Sequence, residues 1–192
     1  MQLHKRDVVD AATTLLDSYG IADLTMRRLA RELNVSPGAL YWHFANKQEL
    51  LGAVADRILE SVADVPADWR DRVAGLCGRL RDALLSHTDG AELVSASFAA
   101  GQSEAMTRIL GQLTEAATDA GVGRPHAELA ARTILYYALG FTADEQSRLQ
   151  WDAAGAELPQ SQAVWSENGT DRFAFGIELL VAGISARQSQ NL

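Results

Sequence analysis

A single cysteine, Cys77, in 192 residues excludes an internal disulfide and any thiolate metal cluster. Proline occurs only four times, and the period-2 runs that mark β-strands are missing. No apolar run approaches the ~18 residues of a membrane span, because Arg, Asp, Glu or Gln interrupts every candidate. Met1-Gln2-Leu3-His4-Lys5-Arg6-Asp7 carries no apolar stretch behind its charges, so no secretory leader is expected. Repeats and low-complexity tracts are also missing. With 47% hydrophobic and 22% charged residues, the chain has the composition of an ordinary globular protein. The expectation is a cytoplasmic, all-α protein of one or two domains. Folding at this length buries roughly 70% of the surface an unfolded chain exposes.

Signs of catalysis and metal binding are equally sparse. His126-Ala127-Glu128 looks like the opening of a zinc deaminase motif, but its two-cysteine partner cannot exist in this chain. Ser86 and His87 are adjacent, yet no Gly-x-Ser-x-Gly elbow is present. Cys77 falls on the apolar side of its helix beside Val73, Leu76 and Leu80, the setting of a buried, inert thiol. His4 and His87 are expected at exposed terminus and turn positions. No enzyme, cofactor or metal site is expected.

What the sequence does hold is unevenly distributed. The net charge is −8. Within residues 1–50 the basic Lys5, Arg6, Arg27, Arg28, Arg31 and Lys47 balance Asp7, Asp10, Asp17, Asp23, Glu32 and Glu49, so the remainder carries the whole excess. A neutral headpiece on an acidic body suits an anionic partner that must be bound at one end only.

Periodicity predicts helices almost throughout. Val8, Ala12, Leu15 and Tyr19 form the inner stripe of a first helix closed by Gly20. Thr25 caps a second, with Met26, Leu29, Ala30 and Leu33 inward. After a tight turn at Asn34-Val35, Ser36 caps a third with Pro37 at its first position, running to about Phe44. Asn46 caps a fourth to about Ala63, and Asp64-Val65-Pro66 breaks the chain. Later helices are expected over 68–87, from the Thr88-Asp89-Gly90 turn to about 100, then over 103–120, 125–150 and 171–187. Residues 152–170 read as a long loop with one short helix near Gln162, and residues 188–192 as a frayed tail. The expected division is a headpiece over 1–46 and a body over 47–192, with 47–63 as a connecting helix.

The stretch over 24–51, LTMRRLARELNVSPGALYWHFANKQELL, predicts a helix-turn-helix. Leu29, Ala30, Val35 and Leu40 supply its inner contacts. Ser36, Pro37, Gly38 and Ala39 keep the start of the second helix slim enough to enter a major groove. Tyr41, Trp42 and His43 follow, with polar tips for backbone or base edges. The alternative for Tyr41 and Trp42 is a place in the core. Lys47 is placed for a phosphate, and so are Arg27 and Arg28 in the first turn of the preceding helix.

These residues, above all Leu40-Tyr41-Trp42-His43-Phe44 with Asn46-Lys47, resemble the DNA-binding domain of the tetracycline repressor (TetR) family over about residues 5–60. Residues 84–91 (LLSHTDGA) and 175–180 (FGIELL) are similar to segments of that family's drug-binding domain. The resemblance implies a homodimeric, all-helical repressor of transcription that leaves a palindromic operator when a small molecule binds the body. It assigns DNA contacts to Thr25, Arg27, Tyr41, His43 and Lys47. Ala63 and Val94 stand where tetracycline repressors have drug- and metal-binding histidines, so a magnesium–tetracycline effector is not implied. The start of the recognition helix also departs from theirs, so the operator sequence does not transfer.

In the body, Ile134, Tyr137, Phe141 and Asp144 share one helix face, and Phe98, Leu110 and Leu113 can line opposite walls of an effector pocket. That combination suits an aromatic or apolar effector, a cationic one included; the alternative is plain core packing, with Asp144 exposed. Phe173, Gly176, Ile177, Leu180, Gly183 and Ile184 form a stripe on the last helix suited to close packing across a two-fold axis, or to packing within the subunit. The alternative from another class is a ligand-binding or catalytic helical protein whose headpiece no longer binds DNA. Specific, salt-sensitive binding to a palindrome separates the two.

Overall fold

The computed structural model describes residues 3–62, 68–155 and 168–190. Among them are nine α-helices and no strand: α1 Lys5–Tyr19, α2 Met26–Glu32, α3 Pro37–Tyr41, α4 Lys47–Ile58, α5 Trp69–Leu85, α6 Gly90–Ala99, α7 Glu104–Asp119, α8 Arg124–Ala153 and α9 Gly169–Gln190. Two compact units form, one from Met1–Ser61 with Ala83–Thr107 and one from Val62–Asp82 with Arg108–Leu192.

In the first unit, α1 buries Val8, Ala12, Leu15 and Leu16. Gly20 ends it at φ 78°, its N–H donating to the Leu16 carbonyl at 2.8 Å. Tyr19 departs from the expected inner stripe: it is exposed, and the Arg28 guanidinium lies 3.8 Å over its ring. Thr25 caps α2 by accepting from the Arg28 N–H at 3.1 Å. Asn34 then turns the chain at φ 52°, and the Val35 N–H returns to the Ala30 carbonyl at 2.9 Å. Ser36 caps α3 with Pro37 behind it. This helix ends three residues earlier than expected, because His43 and Phe44 both donate to the Leu40 carbonyl, a turn that carries Phe44 into the core. Asn46 caps α4 by accepting from the Glu49 N–H at 2.8 Å. Glu49 in turn accepts from the Ala45 N–H, which, with the Lys5 ammonium, holds its carboxyl below the usual range. A 3-10 turn, Leu59–Ser61, follows α4, and Ala63 lies outside the described residues.

Helix α6 is tied to this unit at both ends. At its start, the Asp89 carboxylate accepts from the Ile21 N–H at 2.8 Å, and Asp17 accepts from the Thr88 N–H at 3.2 Å and meets His87 Nδ1 at 3.0 Å. A Cβ on Gly20 would stand 2.6 Å from the Asp89 carboxylate, so the glycine is needed for approach as well as for its positive φ. His87, expected in the open, is therefore half-buried and paired. At the far end, Gly52 lies so close to the Gln102 carbonyl that no side chain fits. Asp56 accepts from Ser103 Oγ at 2.7 Å and from the Ala105 N–H at 2.9 Å. Between these ties α6 packs along α4.

The second unit packs α8 against α9. Its core includes Val73, Leu76, Cys77, Leu80, Leu113, Ala131, Ile134, Leu135, Ala138, Phe173 and Ile177. Burial pushes the Cys77 thiol up to about 12. Helix α8 extends to Ala153, and α9 runs from Gly169 to Gln190, both longer than expected. The short helix anticipated near Gln162 lies outside the described residues, as do Asn191 and Leu192.

Candidate nucleic-acid interface and ligand unit

The helix-turn-helix is positioned by its caps and by Leu29, Ala30 and Leu40, all buried. Around α3 the exposed residues are Thr25, Arg27, Ser36, Pro37, Gly38, Tyr41 and Trp42, with Ala39, His43 and Lys47 half-buried at the edge. Trp42 is 91% exposed and Tyr41 52%, so neither belongs to the core. Together they leave an open aromatic surface beside α3.

The cations sort into two groups. Lys5 pairs with Glu49 at 3.3 Å, Arg6 and Arg57 with Asp10, and Arg28 with Asp23 while stacking on Tyr19. Arg27, Arg31 and Lys47 make no ion pair among the described residues. Half of the headpiece's cations are thus committed to its own carboxylates, and the open ones lie on α2 and at the start of α4, on either side of α3 in sequence. Arg28, expected at a phosphate, is instead held by its own subunit. Arg31, which is not among the contacts expected from sequence, joins the open set. Helical spacing from Arg27 could have signalled it.

In the second unit, Tyr137 and Phe141 meet Phe173, with ring centroids 5.4–5.8 Å apart. The Tyr137 hydroxyl donates to the Arg172 and Phe173 carbonyls at 3.3 and 3.2 Å, and burial raises its pKa. Asp144 is not the carboxylate of this cluster; it is exposed and pairs with Arg148 at 3.3 Å. That place belongs to Glu145, one residue further, which takes a two-pronged hydrogen bond from Arg81 at 2.7 and 2.6 Å. Arg81 lies 5.5 Å over the Phe173 ring. Leu110, Leu113 and Ile134 are buried in this unit, whereas Phe98 lies on α6 of the first unit, and Val94 there is fully buried.

The stripe expected at a two-fold axis divides. Phe173, Ile177 and Ile184 are buried in their own subunit, and Gly176 packs against the Tyr137 hydroxyl with no room for a Cβ. Leu180 and Gly183 remain accessible and line a groove of about 550 Å³ with Leu129, Ala130 and Thr133. The exposed large apolar residues of α9 are Phe175 and Leu179, and α8 exposes Leu129 and Tyr136, each of the four more than half exposed.

Comparison with known proteins gives consistent matches. Residues 8–54 match the bacterial regulatory proteins of the tetR family, and residues 63–188 match the tetracyclin repressor-like C-terminal domain. The chain is 38% identical over 152 residues to the class A tetracycline repressor from transposon 1721 of Escherichia coli, covering 76% of this chain and 68% of that one. It is 62% identical to BioQ of Mycobacterium smegmatis, with a TM-score of 0.90 over 96% of this chain and 99% of the other. A structure of BioQ with its double-stranded DNA operator is 59% identical, with a TM-score of 0.81 over the same shares.

Proposed function

The chain belongs to the TetR family of bacterial regulatory proteins, and from that premise we propose that it represses transcription as a homodimer on a palindromic operator and is released by a small-molecule effector. The observation that carries this reading is the ring of unpaired cations and exposed aromatics around α3. Residues 1–46, with Lys47 at the start of α4, read the DNA, and the rest of residues 47–192 binds the effector and the second subunit. Thr25, Arg27, Tyr41, Trp42, His43 and Lys47 are the contacts, with Ser36, Pro37, Gly38 and Ala39 entering the groove.

The control is differential binding. Two recognition helices must stand about 34–36 Å apart to meet successive major grooves. An effector that favours a different spacing weakens DNA affinity by the same coupling free energy with which DNA weakens the effector. The second unit offers Tyr137, Phe141, Leu110, Leu113 and Ile134 to such a ligand, a set that favours an aromatic or apolar molecule bound without magnesium. Asp144, paired and exposed, gives no reason for a cationic one. Exposed Leu129 and Tyr136 on α8 and Phe175 and Leu179 on α9 support the homodimer, because so many large apolar side chains on two helices are seldom left in water. No helix among the described residues is long and apolar enough to cross a membrane; the protein acts in the cytoplasm, without catalysis.

Enrichment of fragments from the source genome, followed by a salt titration on the enriched duplex, tests the reading. A palindromic sequence bound in a strongly salt-dependent way is expected. Binding that ignores sequence would overturn it. Calorimetry with aromatic cations, neutral apolar compounds and tetracycline, each with and without magnesium, tests the effector class. Tight, magnesium-dependent tetracycline binding would refute it.

A further inference from the structure

Helix α2 buries Met26, Leu29 and Ala30 and turns its charged residues outward. At about 100° per residue, those charges separate into two flanks. Arg28 and Glu32, four apart, share one flank; Arg27 and Arg31, also four apart, share the other. The first is turned to the end of α1, because the Arg28 guanidinium pairs with Asp23 and lies 3.8 Å over the Tyr19 ring. The second is turned away from it.

The signs of charge divide in the same way. Glu32, the only acidic residue of α2, stands on the flank of Arg28. The flank of Arg27 and Arg31 is purely positive, and both residues are exposed and make no ion pair among the described residues. Elsewhere in the headpiece the fold gives its cations carboxylates: Lys5 has Glu49 and Arg6 has Asp10. Like charges four apart on a helix destabilise it, so the Arg27–Arg31 pair costs the free headpiece something that no contact within the subunit returns. An anion outside the subunit would return it. The two backbone anchors stand about 6 Å apart along the helix axis. A DNA strand carries one negative charge for about every 3.4 Å of its own axis, so the two side chains can meet separate phosphates of one strand.

Resting on the DNA-binding reading above, we infer that Arg31 is a phosphate ligand, the third in each half-site beside Arg27 and Lys47. The family resemblance assigns no contact to it. Arg31 carries no sequence information; it fixes the position of α2 on the backbone, and with it the register of the helix that follows.

The test uses the full chain and a duplex enriched from a randomised library. With three such cations in each of two half-sites, raising salt from about 50 to about 200 mM should weaken binding roughly two-thousandfold, against roughly 150-fold for Arg27 and Lys47 alone. Arg31→Gln should therefore lower the log–log slope by about 1 per half-site, on the enriched duplex and on a scrambled one alike, with Tm unchanged or higher. Arg31→Lys should keep the parent slope. Methylphosphonate substitution, which removes the charge of one phosphate at a time, gives a second readout: one position per half-site should weaken the parent and leave Arg31→Gln unaffected. If every phosphate that matters to the parent matters equally to Arg31→Gln, Arg31 touches none of them and the inference is overturned. A chain that enriches no sequence refutes the DNA-binding reading and this inference together. Enrichment with a parental slope in Arg31→Gln, while Lys47→Ala lowers it, refutes this inference alone.

Discussion

Lys47 and Arg28 carry the same charge close to the same short helix, yet the fold treats them differently. Lys47→Ala should weaken binding to every duplex and lower the salt slope by about 1 per half-site, the signature of one lost phosphate contact. Arg28→Met should leave that slope alone. It removes an exposed ion pair and a ring contact, together worth about 1 kcal/mol, and so lowers Tm by a few degrees. A salt titration and a melting curve of each variant separate the two roles. Cys77 gives a pH prediction. Its native thiol ionises only near 12, against 9.0 in an unfolded chain. Above pH 9 the unfolded state therefore loses a proton that the native state keeps, and stability falls with rising pH by up to about 1.4 kcal/mol per unit until pH 12. Denaturant titrations should show that slope reduced in Cys77→Ala. Where an interaction is local, sequence was a good guide: Thr25, Ser36 and Asn46 cap the helices expected of them. Partners distant in sequence were not legible. Nothing near Asp144 says that Glu145 finds Arg81, and nothing near His87 announces Asp17.

At the scale of the helix, α9 shows why a correct period can name the wrong face. Phe173, Ile177, Leu180 and Ile184 make one apolar stripe, and Phe175, Leu179, Ala182 and Ala186 make another. A helix apolar on both sides has two surfaces to cover, and periodicity does not tell which neighbour covers which. The structure assigns the first stripe mainly to the subunit's own core. Gly176→Ala should accordingly overpack Tyr137 and cost about 1–3 kcal/mol of stability, visible as a lowered denaturation midpoint in the monomeric state as well as in the assembly. Glu145→Gln leaves the buried Arg81 guanidinium only the exposed Asp82 carboxylate, 3.6 Å away, as a charged partner and should cost about 3 kcal/mol, whereas replacing Arg81 and Glu145 together by apolar residues should cost far less. A double-mutant cycle by chemical denaturation measures the difference.

The whole molecule places its open positive charge at the reading head and its negative excess elsewhere. Arg27 and Lys47, doubled in a dimer, predict a log–log salt slope of about −4. Leu179→Glu puts a carboxylate on the exposed apolar face without touching the core. Sedimentation should show monomer, with unchanged helical circular dichroism and operator affinity sharply reduced; an unaltered dimer would place the interface elsewhere. The ties at the two ends of α6 bear on how such regulators can be recombined. Because Asp17, Gly20 and Ile21 are matched to residues 87–89, and Gly52 and Asp56 to residues 102–105, a reading head transplanted as residues 1–61 would arrive without the helix that completes its core and would meet mismatched turns in the host. A chimera built to exchange DNA specificity between relatives has to carry residues 83–107 along.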